Sequence, residues 1–220
     1  MTLSELVTAV LLKATGKVTS LTSSDTKYQK VLGIANFYIQ QWSNTKDVDW
    51  SSLYDAEYSI GTVSTTKTYE LDSEIRKISD SRGDTVQVVK GGQLDEYNVV
   101  PADRLRTYDA SAKVCAQMGH NLVFRTAFSS DSQWIGASIL VPVYLYAESL
   151  EAANSEVPVD IPEWLVLMCA AEYVRNDITK QNQYPNLIGE ANEVMQRMID
   201  DNDAQVADVP IFFSNNGRTW

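Results

Sequence analysis

The amino-acid sequence predicts an α+β protein: a four-helix bundle formed by N- and C-terminal helices, with an inserted antiparallel β domain and an extended C-terminal arm. Apolar residues recur at helical spacing at both ends of the chain. Between Trp50 and Ala147 that period gives way to short β-branched and aromatic runs broken by turn residues. We therefore assign residues 1–50 and 151–204 to the two halves of the bundle, 51–150 to the β domain and 205–220 to the arm.

Two helices are predicted before residue 50. Thr2 and Glu5 have the spacing of a capping box, and Gly16 is a natural stop. The first helix carries an apolar stripe of Leu3, Leu6, Val7, Val10 and Leu11. A second helix follows the cap signal Ser23-Ser24-Asp25, and its apolar face consists of Tyr28, Val31, Leu32, Ala35, Tyr38, Ile39 and Trp42.

Six strands are predicted in the middle of the chain. They are Glu57 to Val63, Thr66 to Leu71, Thr85 to Val89, Lys113 to Gln117, Leu122 to Thr126 and Ser138 to Tyr146. The turns are Ser81-Arg82-Gly83-Asp84, Gly91-Gly92 and Gly119-His120-Asn121, each with a residue that tolerates positive φ. Pro142 has no N–H to donate to a ladder, so the last strand should be an edge strand or be bulged there.

Two further helices are predicted between Pro158 and Asp203. The first opens at Ile161-Pro162-Glu163, and its run from Trp164 to Ala171 is almost wholly apolar, so neighbouring elements should enclose it. The second has one stripe of Leu187, Ile188, Ala191, Val194, Met195, Met198 and Ile199. Glu190, Glu193, Asp200 and Asp201 fall on its other side, which predicts an acidic outer face.

The composition is that of a globular protein with an acidic surface. The chain has 220 residues, 44% hydrophobic and 21% charged, with a net charge of −11. This charge argues against a protein that grips nucleic-acid phosphates over a broad surface. No apolar run approaches the roughly 20 residues of a membrane span, and the N-terminus lacks the pattern of a secretion signal, so we expect a cytosol-like compartment and no membrane contact.

The residues that usually carry catalysis are sparse. Cys115, Cys169 and the single His120 do not make a zinc site, and the cysteines are expected to be reduced core thiols. His120 lies in a predicted turn without a nucleophile motif beside it. We expect no metal, no cofactor and no catalytic residue.

Three weaker motifs have ordinary structural explanations. Glu163 and Glu172 flank the apolar helix, but a helix first turn and a neighbouring Arg175 account for them without an acid-pair mechanism. The tripeptide Arg82-Gly83-Asp84 fits a hairpin turn better than an adhesion motif. The acids Asp200, Asp201 and Asp203 lack the loop glycine and final glutamate of a calcium loop.

The C-terminal arm has no helical stripe but is rich in apolar residues. Those residues and one arginine are Val209, Pro210, Ile211, Phe212, Phe213, Arg218 and Trp220. A terminal segment with this much apolar surface is expected to dock. Packing on the chain's own β domain and docking on a neighbouring subunit are both compatible with the sequence.

Four segments resemble the head-to-tail adaptor (connector) proteins of tailed bacteriophages, including the tubular tail protein A type. Residues Tyr69 to Ile78 are similar to that family's strand and turn, with Asp72 where proline is usual. Asn98 to Leu105 is similar to its Val-Pro segment. Ile161 to Tyr173, followed by Gly189 to Met198, resembles its last two helices.

The resemblance implies a structural virion protein without catalytic activity. It implies a ring of twelve copies between the portal and the tail, at the head–tail junction of the virion. The protein would be made in the host cytoplasm. Its partners would be the portal protein, a tail nozzle or stopper protein and further copies of itself. DNA would pass through the ring without specific binding, and an acidic helix face would repel its phosphates.

Three other functions stay open at the level of sequence. A tail terminator or stopper of the neck would more often be dominated by β structure. An acid-pair hydrolase acting on peptidoglycan would lose turnover with one Glu or Asp substitution. A soluble module that binds a host ligand through its β loops would be a monomer with tight ligand binding.

Overall fold

The computed structural model describes residues 1–17, 21–81, 83–175 and 177–207, with side chains as far as residue 204. Four helices lie towards the two ends of the chain, and a curled, mixed eight-stranded sheet, a half-barrel, lies between them in sequence. The chain divides into two compact units. The helical unit comprises Met1–Ser52 and the described part of Ala147–Trp220, and the β unit comprises Leu53–Tyr146.

The helices are α1 (Leu3–Thr15), α2 (Thr26–Ser43), α3 (Pro162–Val174) and α4 (Tyr184–Ala207). The capping box predicted for α1 is confirmed, because Thr2 Oγ1 accepts from the Glu5 N–H and Glu5 Oε2 accepts from the Thr2 N–H. Gly16 ends α1 at φ 72°, in the left-handed region where glycine is favoured. Asp25 is the N-cap of α2, but its carboxylate accepts from Thr22 instead of capping the helix.

Helix α3 is the centre of the helical unit and contacts α1, α2 and α4. Its buried side chains lie all around the helix, as the nearly continuous apolar run predicts: Trp164, Leu165, Leu167, Cys169, Ala170, Ala171 and Val174. Pro162 is its first residue, where the missing N–H costs no hydrogen bond. The other helices each bury one stripe against it, which gives the unit one apolar core.

The strands are β1 (Tyr54–Thr62), β2 (Thr68–Glu70), β3 (Ile75–Ile78), β4 (Thr85–Lys90), β5 (Gln93–Val99), β6 (Val114–Gln117), β7 (Asn121–Phe124) and β8 (Ser138–Leu145). Their order is β1-β8-β4-β5-β6-β7-β2, and β3 also pairs with β8. The prediction of a purely antiparallel domain is wrong, because β5 and β6 are parallel. The segment after Val99 crosses back before β6 begins, so those two strands run in the same direction.

Strands β3 and β5 were not expected from the sequence. In β5 the side chain that faces inward is Asp95, 8% exposed, whereas Leu94 is 52% exposed. In β3 the two buried residues, Ile75 and Ile78, enclose a basic pair and do not alternate. Both patterns depart from the alternation by which a half-buried strand is recognised.

The expectation for Pro142 is half confirmed. Strand β8 is not an edge strand, because it pairs with β1 on one side and with β3 and β4 on the other. The β1–β8 register shifts between Tyr58, opposite Val141, and Asp55, opposite Val143, so an irregularity flanks Pro142. A bulge thus accommodates the missing N–H within a central strand.

The predicted turns are confirmed where they are described. Gly91 and Gly92, at φ 57° and 80°, form a two-residue hairpin between β4 and β5. Gly119, at φ 61°, and exposed His120 lie in the turn between β6 and β7. The Asp84 N–H donates to the Ser81 carbonyl across the third turn, and Arg82 lies outside the described residues.

Candidate functional site

The outer face of α4 carries the four acids that the sequence places there. Glu190, Glu193, Asp200 and Asp201 are all exposed, and the buried stripe opposite them contains Leu187, Ala191, Val194 and Met198. Ile188, Met195 and Ile199 lie at the border of the stripe and are half-buried. Helix α4 therefore separates an apolar face, packed on α3, from a solvated acidic one.

Two of the helix's charges have partners in the helical unit. Lys13 Nζ of α1 lies 2.8 Å from Glu190 Oε2, and Arg197 lies 3.8 Å from Glu163 at the start of α3. Asp200 accepts a hydrogen bond from Gln196 one turn earlier. Since Lys13 offsets the charge of Glu190, the net negative charge of this face is carried mainly by Glu193, Asp200 and Asp201.

A polar cleft of about 530 Å³ lies at the C-terminal end of α4. It is lined by Ser51, Ser52, Asp160, Ile161, Met198, Asp201 and Asn202. Asn202 is buried at 5% exposure, and its amide donates to the Asp49 carbonyl and accepts from the Ser51 N–H. This side chain fixes the segment that precedes the β unit to α4, so its role in the cleft is structural.

Amide side chains of α2 fix the second connecting segment in the same way. Asn36 donates to the Leu150 carbonyl and accepts from the Leu150 N–H, at 3.0 and 2.7 Å. One turn later, Gln40 donates to the Ala147 carbonyl. Both segments through which the chain passes between its units are thus hydrogen-bonded to helices of the helical unit.

An uncharged groove of about 440 Å³ lies where α2, α3 and α4 meet. Its lining residues, which we call the Trp–Met groove, are Gln41, Trp42, Asn44, Thr45, Trp164, Met168, Asn192 and Met195. The sequence pattern assigns Trp42 and Met195 to the core stripes, and Trp164 to an enclosed helix. No local sequence signal marks the groove, although its Met and Trp side chains are of the kind that adaptable binding surfaces favour.

The residues considered for acid-pair chemistry do not converge. Glu163 and Glu172 lie nine positions apart on α3, about 13.5 Å along the helix axis, beyond the roughly 5 to 9.5 Å between the carboxylates of glycosidases. Each also lies near an arginine, Arg197 and Arg175 respectively. No cluster of three or more His, Cys, Asp or Glu side chains suited to a metal occurs within the described residues.

The two cysteines are buried free thiols, one in each unit. Burial raises the pKa of the Cys115 thiol to about 12 and raises that of Cys169 as well. A thiol reacts as its thiolate, so both side chains are unreactive while their units stay folded. The prediction of reduced core thiols is confirmed.

Two of the segments that resemble head-to-tail adaptors, Tyr69 to Ile78 and Asn98 to Leu105, lie in the β unit, and the other two lie in α3 and α4. After β2, the Ile75 N–H donates to the Asp72 carbonyl, and the Asp72 and Glu74 carboxylates both contact the Tyr58 hydroxyl. Pro101 opens a turn closed by the Arg104 N–H, and Leu105 is buried behind it. The arm residues Val209, Pro210, Ile211, Phe212, Phe213, Arg218 and Trp220 lie outside the described residues.

No protein-family model matches the chain, and no curated protein matches it in sequence. Within the described part of the chain, no helix is both long enough and apolar enough to cross a membrane.

Proposed function

We propose that this chain is a head-to-tail adaptor of a tailed bacteriophage, a structural protein that forms a ring between the portal and the tail. The observation that carries the proposal is the acidic face of α4, exposed opposite a buried stripe on the longest helix. The four adaptor-like segments agree with it, because they lie in an α+β chain whose helices precede and follow the sheet.

In this proposal the four helices form the bundle of each subunit, the sheet is a domain inserted into it, and α4 lines the channel. Duplex DNA carries one phosphate charge per about 1.7 Å of helix axis. At physiological salt, charges repel across a screening length of about 8 Å. A wall carrying Glu193, Asp200 and Asp201 keeps passing DNA from adhering without binding any sequence.

The arm is the proposed contact with partners. Val209 to Phe213, with Arg218 and Trp220, would bind the portal or an adjacent subunit. The next tail protein would bind the opposite side of the ring. The whole assembly would reside in the neck of the virion.

Deleting residues 206–220 tests the arm. The shortened chain is expected to fold, with Cys169 still protected from thiol reagents, but to lose capture by the portal protein. Phe212→Asp with Phe213→Asp should have the same effect, because charges disfavour burial. Asn215→Asp with Asn216→Asp is the matched control, with the same added charge at polar positions of the same arm. Undiminished portal binding by the deletion variant would refute the arm's contact with the portal.

A further inference from the structure

The Trp–Met groove is an uncharged surface in a strongly acidic chain. All eight of its lining residues are neutral, whereas 21% of the whole chain is charged. Trp164 is buried, and Met168 and Met195 are half-buried along the groove. Its rim is polar: Gln41 comes from α2, Asn44 and Thr45 directly follow α2, and Asn192 comes from α4. An apolar floor with a neutral polar rim suits an extended apolar peptide.

Trp42, one of the groove's lining residues, adds a second observation. It is fully buried and stacks on Trp50 with ring centroids 5.1 Å apart. Trp50 Nε1 donates to the Trp42 carbonyl at 2.8 Å, but Trp42 Nε1 has no hydrogen-bond partner among the described residues. A buried indole N–H normally has an acceptor. The flexible side chains of Met168 and Met195 can re-pack to admit one.

We infer that the Trp–Met groove binds the C-terminal segment of a second copy of this chain, with Ile211, Phe212 and Phe213 against its methionines and tryptophans. The two surfaces match in charge, because residues 209–217 are also uncharged. They match in chemistry, because aromatic rings pack well on thioethers and indoles. The segment's backbone carbonyls supply acceptors of the kind that Trp42 lacks.

Chain length favours a second copy over the chain's own arm. Met195 precedes Ala207, the last residue of α4, by about 18 Å at 1.5 Å per residue. Fully extended, Ile211 lies at most about 14 Å and Phe213 about 21 Å beyond Ala207. To reach its own groove, the arm would have to reverse direction after Ala207. Of the three apolar residues, only Phe213 could then come as far as the edge of the groove. A neighbouring arm has no such limit.

This inference rests on the proposed function, because it names the contact that joins neighbouring subunits of the ring. The contact is heterologous, arm into groove, and repeated around an axis such contacts close into a ring. It is tested with this chain alone, without portal protein, so a failure of portal binding and a failure of the groove are distinguishable.

The first test measures binding of a labelled peptide, residues 208–220, by fluorescence anisotropy. The receptor is the full-length chain carrying Phe212→Asp and Phe213→Asp, which removes competition from its own arm. We expect saturable binding, weakened at least tenfold by Met195→Glu. Ile188→Glu, a half-buried position seven residues earlier on α4 but outside the groove, is the control and should change binding less than twofold. Circular dichroism checks that each variant folds.

Absence of saturable binding, or an equal loss with Ile188→Glu, would overturn the groove as the site.

A second test distinguishes the two sources of the arm, the same chain and a second copy. Copies with Met195→Cys are mixed with copies carrying Phe212→Cys and oxidised, while Cys115 and Cys169 stay protected by burial. We expect a disulfide-linked dimer, and much less of it with Ile188→Cys. In one chain carrying both substitutions, a cross-linked monomer whose yield is independent of concentration would contradict docking on a second copy.

Discussion

The helical unit and the β unit differ in the side chains that make several of their hydrogen bonds. In the helical unit, neutral amides of Asn36, Gln40 and Asn202 hydrogen-bond to backbone groups. In the β unit, tyrosine hydroxyls contact carboxylates: Tyr54 with Asp84, Tyr58 with Asp72 and Glu74, and Tyr97 with Asp95. Amides do not titrate, whereas phenols and carboxylates do. These tyrosine–carboxylate contacts therefore give the stability of the β unit a dependence on pH.

Each unit also contains its own probe of unfolding. Cys169 is buried in the helical unit and Cys115 in the β unit. Because each thiol reacts only when its surroundings open, the labelling rate of each cysteine reports the opening free energy of its own unit. Substitutions confined to one unit therefore test the contrast between the units, through the labelling rate of the cysteine in the substituted unit.

The largest effect is expected from Trp50→Ala in the helical unit. Trp50 is fully buried, stacks on Trp42 and donates to its carbonyl. Truncation of such a side chain costs about 3 to 5 kcal/mol, which should speed Cys169 labelling at least a hundredfold. Phe37→Ala in the same unit is the control, because Phe37 is 58% exposed and its truncation should have little effect. An unchanged Cys169 rate in Trp50→Ala would contradict the assignment of this pair to the core.

A smaller effect is expected from Asn202→Leu. The substitution keeps the side-chain size but removes two hydrogen bonds to the segment before the β unit, at a cost of about 1 to 3 kcal/mol. Chemical denaturation monitored by circular dichroism measures the loss. Asn186→Leu, on an exposed position of the same helix, should stay within about 0.5 kcal/mol. If both variants are equally stable, the amide does not hold the connecting segment.

The pH dependence of the β unit should respond to Tyr97→Phe. Burial, and after it the Asp95 charge, raises the pKa of Tyr97 above its ordinary value near 10. Above pH 10 the unfolded chain loses the phenolic proton while the folded one keeps it, so the free energy of unfolding falls as pH rises. Below pH 10 this contribution to stability is fully present. Urea unfolding at pH 8, 10 and 11 should show a shallower decline for Tyr97→Phe.

Parallel declines in the two proteins would show that Tyr97 is not linked to folding. Burial also raises the pKa of Tyr28 and Tyr38 in the helical unit. Both units therefore lose stability in alkali. The Glu172 charge adds to the shift of Tyr38, whereas in the β unit Tyr54, Tyr58 and Tyr97 are also hydrogen-bonded to carboxylates, which raises their pKa further.

The smallest effect on stability is expected on the acidic face of α4. Glu193→Lys with Asp200→Lys changes two exposed side chains and should alter the free energy of unfolding by no more than about 0.5 kcal/mol per site. In phage carrying this variant, however, DNA ejection should be slower, because lysines attract passing phosphates. Glu148→Lys with Glu151→Lys makes the same change in net charge elsewhere on the helical unit and should leave the ejection rate unchanged.

The helices were predictable from the sequence because their apolar stripes follow a single period over many residues. The capping box at Thr2, the stop at Gly16 and the start at Pro162 all lie where local chemistry places them. The sheet was less predictable, since strand recognition depends on alternation over a few residues. Buried Asp95 contacts Tyr97 on its own strand and Lys113, and the Lys113 contact joins residues 18 positions apart, so it depends on the tertiary structure.

The candidate site was predictable in one part and not in another. The acidic face of α4 follows from helical spacing alone. The Trp–Met groove does not, because it forms where three helices from both ends of the chain meet, and no local pattern records that junction. The buried amide of Asn202 was missed for the same reason, since its two partners lie about 150 positions earlier.

The most direct test of the proposed function is cryo-electron microscopy of the intact virion, with density in the neck traced against this sequence. The proposal predicts this chain as a ring beneath the portal, with the acidic face of α4 towards the channel and each arm in the Trp–Met groove of a neighbour. Finding the chain at the distal tail, or finding particles without it, would contradict the adaptor role.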